Sequence, residues 1–203
     1  MMSQRKIVVF DRVTADGYFA ATDGNLNWAV PDDAIDKAAL EGIPGTDTML
    51  FGRRTYDQFE SFWPRVANDS PNAPDPHIPG RQSQTLRAMA NWINEAAKIV
   101  FSRTRKEVTW KNSRLVKELD PREIEAMKNG PGKNMIVFGS GSLVSQLTEL
   151  GLIDEYHFIL NPVLLGSGKS LISGVPKTSR LKLLEAKTYD SGNVVLRYAL
   201  KSE

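Results

Sequence analysis

Apolar positions along this chain fall into two patterns. Unbroken runs bounded by charge, glycine or proline suit strands buried on both faces, and they occur at residues 5–13, 47–51, 98–101, 135–138 and 154–160. Between them, apolar residues recur at helical spacing: residues 32–40, the segment after Gly52 to about Phe62, and residues 82–96, where Leu86, Met89, Ala90 and Ile93 share one side. Trp63-Pro64 is expected to close the second of these helices. Asp120, Pro121 and Glu123 supply the N-cap, first-position proline and third-position acid of another, which Lys128-Asn-Gly-Pro-Gly132 ends. Residues 108–110 and 113–116 predict a short strand pair, or one strand and a turn. Residues 178–189 and 194–200 predict long strands meeting across Asp190-Ser-Gly-Asn193, a hairpin. Three stretches read as loops: residues 18–31, which hold Trp28 and follow the first strand as a loop over a site often does, the proline-rich residues 68–80, and the glycine-rich residues 161–173.

Strands alternating with helices predict a parallel sheet covered on both faces, and the closing hairpin makes it a mixed one. One domain over residues 1–203 is the expectation, since that length suffices for one sizeable core. With 41% hydrophobic and 25% charged residues the chain is neither disordered nor membrane-like, and no apolar run is long enough to cross a bilayer. The start lacks the features of a signal peptide, and cysteine is absent, so the expected address is cytoplasmic. Without cysteine there is no thiolate nucleophile, disulfide or thiolate metal site. Two histidines, His77 and His157, without spaced carboxylate partners make a metal site unexpected. A net charge of +2 gives no reason to expect nucleic acid as a partner.

The chemistry gathers where strands end. Residues 134–147 read as strand, tight turn (Gly139-Ser-Gly-Ser142) and helix (Leu143, Val144, Leu147), and a helix start with open amides attracts phosphate. Ligands of open α/β sheets bind beyond the carboxyl ends of strands. Phe51 is followed by Gly52, Arg53, Arg54 and Thr55, Phe101 by Ser102, Arg103 and Thr104, and Phe138 by Gly139, Ser140, Gly141 and Ser142. Converging, these ends would join a backbone cradle to guanidinium forks able to grip a terminal phosphate. A standard dinucleotide fingerprint is broken, because Val144 stands where its third glycine belongs. No acidic residue closes the following strand, and arginines in its place favour a 2′-phosphate, hence NADPH over NADH. Gly166-Ser-Gly-Lys-Ser170 imitates the end of a Walker A loop, but Val163 replaces the first glycine, and Gly174 and Pro176 would break the helix it needs. A structural turn is expected there. Ser140 and Ser142 have no histidine in register, which speaks against a serine hydrolase.

Taken in order, Asp16-Gly17, Gly52-Arg-Arg-Thr-Tyr56, Phe101-Ser-Arg-Thr104, Phe138-Gly-Ser-Gly-Ser-Leu143 and the run from Asp154-Glu-Tyr-His to Gly168-Lys169 resemble the dihydrofolate reductase-like superfamily. The chain is most similar to stand-alone proteins akin to the reductase (C-terminal) domain of the bifunctional riboflavin-biosynthesis deaminase-reductase. That resemblance implies a three-layer α/β/α fold with a mixed, mostly parallel sheet, and an NADPH-dependent reductase. It implies that Gly52, Arg53, Arg54 and Thr55 meet the adenosine phosphate and pyrophosphate, with Ser102 and Arg103 beside the 2′-phosphate. Phe138, Gly139, Ser140, Gly141, Ser142 and Leu143 would hold the pyrophosphate, and Thr14, Asp16 and Gly17 would border the nicotinamide. Hydride would pass to a C=N or C=O carbon of a small heterocyclic or sugar-derived substrate. The alternative is a non-catalytic NADPH-binding sensor or scaffold. Riboflavin-pathway reductases usually carry lysine after Asp-Gly, and here Tyr18 follows, which sets the phosphoribosyl substrate in question. Asp33 stands at the step after Trp28 where folate reductases place their proton-delivering acid, so the resemblance implies a catalytic role for it. It also implies a homodimer, with residues 161–173 or the hairpin as contact.

Overall fold

The computed structural model describes residues 4–68, 84–176 and 178–201. Along the chain come β1 (Ile7–Thr14), β2 (Tyr18–Ala20), α1 (Asp33–Gly42), β3 (Thr46–Gly52), α2 (Arg53–Asn68) and α3 (Gln84–Glu95). They are followed by β4 (Ala97–Phe101), β5 (Ser113–Val116), α4 (Pro121–Asn129), β6 (Asn134–Val137) and α5 (Gly141–Glu149). The last elements are β7 (Glu155–Asn161), β8 (Lys169–Ser170), β9 (Leu181–Thr188) and β10 (Val194–Leu200). Eight strands form one sheet in the order β5-β4-β3-β6-β1-β7-β10-β9. The first six run parallel, while β10 is antiparallel to both β7 and β9. The mixed sheet and its closing hairpin are those expected from the alternation of apolar runs.

Period-two alternation divides the strand side chains between two layers. On one face α4 and α5 set Ile124, Leu143, Val144 and Leu147 against Ile7, Val9, Leu50, Met135 and Val137. On the other, α2 and α3 set Tyr56 and Ile93 against Met49, Phe51 and Val100, and Trp110 joins them. Each wholly buried aliphatic side chain contributes roughly 1.5–3 kcal/mol over exposure. Leu147→Ala should therefore cost about 2–5 kcal/mol, a change that urea denaturation would read.

Three local expectations need correction. The stretch of residues 18–31 is not all loop, because Tyr18–Ala20 pairs with Lys169–Ser170 as a two-stranded ribbon. Helix α2 does not close at Trp63-Pro64 but carries Pro64 inside it and runs to Asn68. The lost helical bond there is offset by packing: Val66 is buried, Trp63 joins the aromatic cluster, and Asn94 Nδ2 donates to the Trp63 carbonyl at 3.1 Å. Of the two readings of residues 108–116, one strand and a turn is the one found: the Trp110 N–H donates to the Glu60 carboxylate (3.2 Å) instead of a ladder, and Ser113–Val116 pairs with β4 alone. The first hairpin strand begins at Leu181 rather than residue 178. Most of the proline-rich segment, with His77, and the first two residues of the helix expected from residue 82 lie outside the described residues. Among the described residues no helix is long and apolar enough to cross a membrane.

Strand β9 is an edge strand exposed along its whole length, with Leu181, Leu183 and Leu184 in solvent. An edge of this kind invites pairing with another chain.

Candidate functional site

Strands β4, β3 and β6 are neighbours and parallel, with Gly52 opposite Phe101 and Leu50 opposite Val137. Their carboxyl ends therefore share one edge, and small polar groups stitch two of them together. Gly52 N–H donates to Ser140 Oγ at 3.0 Å, and Ser140 N–H donates to Thr55 Oγ1 at 3.0 Å. Gly139 N–H donates to Asp11 Oδ1 at 2.6 Å, which adds β1 to the junction. The turn that permits this has two successive left-handed residues, Gly139 (φ 54°) and Ser140 (φ 58°). A Cβ at Gly139 would lie 3.3 Å from the Thr55 side chain, so both space and backbone require glycine.

The amides of Gly139 and Ser140 are thus committed inside the protein. The open donors are the next two, Gly141 and Ser142, which begin α5 and have no acceptor among the described residues. Ser140 O already receives Leu143 N–H (2.7 Å) and Val144 N–H (3.0 Å), holding the helix start in place. Arg53 and Arg54 open α2 across the junction, exposed and with no hydrogen-bond or ion-pair partner among the described residues. Amides and guanidinium groups without partners among the described residues, beside a glycine that admits close approach, suit an anionic group.

At the third strand end Ser102 is buried and turned inward. Its N–H donates to Val116 O (2.9 Å) and its Oγ accepts from Arg105 N–H (3.0 Å). Arg103 is exposed, with Glu118 3.7 Å away. Arg105 was not foreseen: it ion-pairs with Asp57 and with Glu60 (2.6 Å) and lies 4.6 Å over the Tyr56 ring. It locks the turn after β4 onto α2. Nothing in sequence separates it from its exposed neighbours.

Asp11 was also missed, although a lone acid inside the run Ile7–Val13 was a visible signal. It shares a face with Val9, is 8% exposed, and its Oδ2 is buried without a partner among the described residues. Burial pushes its carboxyl well above the ordinary range, and the single Gly139 N–H offsets this only in part.

Thr14, Asp16 and Gly17 form a clip. Thr14 Oγ1 donates to Asp16 Oδ1 (2.6 Å) and accepts from Tyr18 N–H (2.9 Å). Asp16 Oδ2 accepts from Leu165 N–H (3.0 Å) and Gly166 N–H (2.7 Å), binding the turn after β1 to the loop before β8. The Thr14 hydroxyl, then the Gly166 amide, lower the Asp16 carboxyl. Gly168 lets β2 approach, since a Cβ there would sit 2.5 Å from Ala20 O. The Walker-like stretch is therefore a turn into a strand, with no helix to receive a nucleotide.

On the other half of the edge, Asp32 caps α1 by accepting from Ala34 N–H (2.9 Å) and Ile35 N–H (3.2 Å), and Ser191 Oγ donates to it at 2.5 Å. Asp33 is exposed on the first turn of α1. Val30 N–H donates to Asn161 Oδ1 (2.9 Å), and Asn193 Nδ2 donates to Val30 O (3.1 Å). These two buried asparagines hang the segment before α1 over the ends of β7 and β10. Trp28 Nε1 and Asn193 Oδ1 are buried without partners among the described residues.

Under α1 and beside α3 lies a cleft of about 590 Å³ against β1, β6, β7 and β10, a size usual for small-molecule sites. Val8, Phe10, Ile35, Ile136, Phe138 and Trp92 give it apolar walls. Its polar end is an ion cluster: Glu155 accepts from Lys6 Nζ (2.6 Å), lies 2.8 Å from His157 Nε2, and is approached by Arg197 (3.5 Å). Burial opposes ionisation of Glu155, but Lys6 and His157 outweigh it and draw its pKa to about 2. Burial lowers that of His157. Among the described residues no three His, Asp or Glu side chains gather as a metal would need. Cleft and phosphate cradle meet at Phe138, which lines the first and leads into the Gly139 turn of the second.

Comparison with known proteins agrees with this architecture. The model of the RibD C-terminal domain family matches residues 5–195. The uncharacterized protein YyaP of Bacillus subtilis (strain 168) is 28% identical over 197 residues, 97% of this chain and 96% of that protein. A putative riboflavin biosynthesis protein from Shewanella sp. PV-4 superposes with TM-score 0.71 at 23% identity, covering 97% of this chain and 99% of the other. A dihydrofolate reductase from Enterococcus faecalis, complexed with NADP(H), superposes with TM-score 0.62 at 13% identity over 98% of each chain. The fold is dihydrofolate reductase-like.

Proposed function

We propose that this chain, which belongs to the RibD C-terminal domain family, is an NADPH-dependent reductase of a small heterocyclic or sugar-derived substrate. One observation carries the reading: the ends of β3 and β6 are stitched together, so that the Gly141 and Ser142 amides and the Arg53 and Arg54 side chains, all without partners among the described residues, open the two helices that meet there. The NADP(H) held by the Enterococcus faecalis relative of the same fold supports it. Bound NADPH supplies the hydride. The α5 amides hold its pyrophosphate, while Arg53, Arg54 and Arg103, with Ser102 behind, hold its phosphates through charge-assisted bonds. Thr14, Asp16 and Gly17, clipped to the Leu165–Gly166 amides, wall off the nicotinamide end from water. Substrate enters the cleft under α1, so that its C=N or C=O carbon meets the cofactor beyond Phe138. Asp33, exposed on the first turn of α1 and two residues before the lining residue Ile35, would deliver the proton from outside the lining.

A second reading, a non-catalytic NADPH-binding sensor or scaffold, is favoured by one feature, the exposure of Asp33 in place of a shielded acid. Titration with both cofactors, followed by NADPH oxidation against pteridine, pyrimidine and aldehyde panels, separates the readings. The reductase should bind NADPH about tenfold or more tighter than NADH, a difference near 1.4 kcal/mol. It should also turn over within one panel. Stoichiometric NADPH binding with no oxidation in any panel would favour the sensor.

The lack of cysteine fits a cytoplasmic enzyme. A homodimer fits the exposed leucines of β9 and the exposed Leu164 and Ile172 of the neighbouring loop. Light scattering of the wild type and of Leu183→Lys tests it, a dimer being expected for the first and a monomer for the second.

A further inference from the structure

The polar end of the cleft holds chemistry that the reductase reading leaves unused. Glu155 and His157 are two residues apart on β7, so both project from the face that α1 covers, opposite Val8 and Phe10 of β1. Glu155 is held ionised by Lys6 and His157, and an ionised carboxylate can only accept. The contact of 2.8 Å to His157 Nε2 therefore places the imidazole proton on Nε2. Arg197 Nε lies 3.3 Å from the same nitrogen but cannot donate to it in that tautomer, and its guanidinium is held instead by Glu185 (3.1 Å) and Glu155. Nδ1 is then a lone-pair acceptor in a ring kept neutral by burial, and it has no partner among the described residues.

The place of this acceptor is set by sheet register. Phe138 just past β6, Phe10 on β1 and His157 on β7 sit side by side, with ring centroids 5.9 Å apart for Phe138–Phe10 and 6.4 Å for Phe10–His157. Roughly 10 Å, two strand spacings, separates the backbones of β6 and β7. A fused two-ring heterocycle laid over Phe10 spans from the Gly139 turn to the imidazole. Of the cations that line the cleft, Lys6 and Arg197 are matched to Glu155 and Glu185, and Lys187 lies over the Tyr189 ring (5.0 Å) away from the imidazole, so the His157 end offers little to a terminal phosphate.

We propose that His157, oriented by Glu155, is a specificity-determining residue whose Nδ1 accepts a hydrogen bond from an N–H group of a flat, fused-ring heterocyclic substrate lying over Phe10. The inference deepens the reductase reading and rests on it for the direction in which the substrate lies. A ligand presenting only acceptors or methyl groups to Nδ1 leaves a desolvated lone pair unmatched and is rejected, which is how a site built around one hydrogen bond discriminates. Glu155 is the positioning residue.

Fluorescence titration of the full chain with two probes tests this: 2-aminopteridin-4-one, which carries ring N–H donors, and 1,3-dimethylpteridine-2,4-dione, which has none. The wild type should prefer the first by about tenfold or more. In His157→Phe the ratio should fall to within about threefold, with NADPH affinity unchanged. His157→Asn, which keeps a short polar group, guards against a folding defect and should restore part of the preference. In Glu155→Gln the imidazole 15N shifts should show loss of the single Nε2–H tautomer, a change that a merely structural role would not produce. Equal binding of the probes by the wild type, binding of neither, or a ratio unmoved in His157→Phe would overturn the proposal. Preference for the donor probe in a protein that does not bind NADPH would overturn the reductase reading and leave this site standing.

Discussion

Asp11 and Glu155 are buried to almost the same degree, 8% and 7% exposed, yet burial governs one and its partners govern the other. Asp11, at the phosphate cradle, has one backbone N–H for company and is pushed upward. Glu155, at the cleft, has Lys6, His157 and Arg197 and is drawn down to about 2. The Asp11 carboxyl lies deeper and has less company, so it favours its neutral form, while that of Glu155 stays ionised. The same contrast runs through the two halves. The cradle is made of amides and small hydroxyls bonded to one another, so it holds no fixed charge of its own and leaves its arginines free for an anion. The cleft has apolar walls, and the charged side chains at its polar end pair with one another, so that end favours a ligand read by one hydrogen bond over a ligand read by charge.

Breaking the cradle should have the largest effect. Gly139→Val puts a β-branched residue at φ 54° and a side chain against Thr55, and NADPH affinity should fall about a hundredfold by calorimetric titration, near 2.7 kcal/mol. An affinity within about twofold of wild type would mean that the turn is not the phosphate site. Next comes the cleft ion cluster. The folded pKa of Glu155 lies below its ordinary 4.5, so its stabilisation is present above that pH and is lost as pH falls toward 2. Glu155→Gln should cost roughly 1–3 kcal/mol in urea denaturation at neutral pH, and the gap should narrow as the medium is acidified below 4.5.

Arg53→Ala or Arg54→Ala should weaken NADPH about tenfold each at low salt and less at high salt, leaving NADH nearly unchanged. Comparable losses for both cofactors would place these guanidinium groups away from the 2′-phosphate. Asp11→Asn should have the smallest effect, and of opposite sign to that at Glu155. The folded pKa of Asp11 is raised, so its contribution is present below the ordinary 3.8 and is lost as pH rises. The asparagine keeps an oxygen for the Gly139 N–H, and its melting temperature should exceed that of wild type by a few degrees at neutral pH, the gain vanishing in acid.

What sequence revealed followed the same division. The cradle lies in contiguous stretches, Gly52–Thr55 and Gly139–Ser142, whose residue types announce close backbone approach and donor groups. That β6 lies between β3 and β1, which brings these stretches side by side, was not contained in the alternation of strands and helices. The inward turn of Ser102, likewise, is decided by Arg105 and Val116 after folding. Helix α2 continued through Pro64 because packing against α3 outweighed a local breaker, a balance that no window of sequence contains. The cleft was invisible for a stronger reason. Phe10, His157, Arg197 and Glu185 come together only through strand register, and the wall opposite them is a helix whose seat depends on Asp32, Ser191 and two buried asparagines. Asp11 alone was there to be read, as a single acid in an apolar run.

The most direct measurement is a crystal structure of the protein soaked with NADPH. The pyrophosphate should lie against the Gly141 and Ser142 amides, with the 2′-phosphate among Arg53, Arg54 and Arg103. Phosphate density elsewhere, with the Gly139–Ser142 turn empty, would contradict the account.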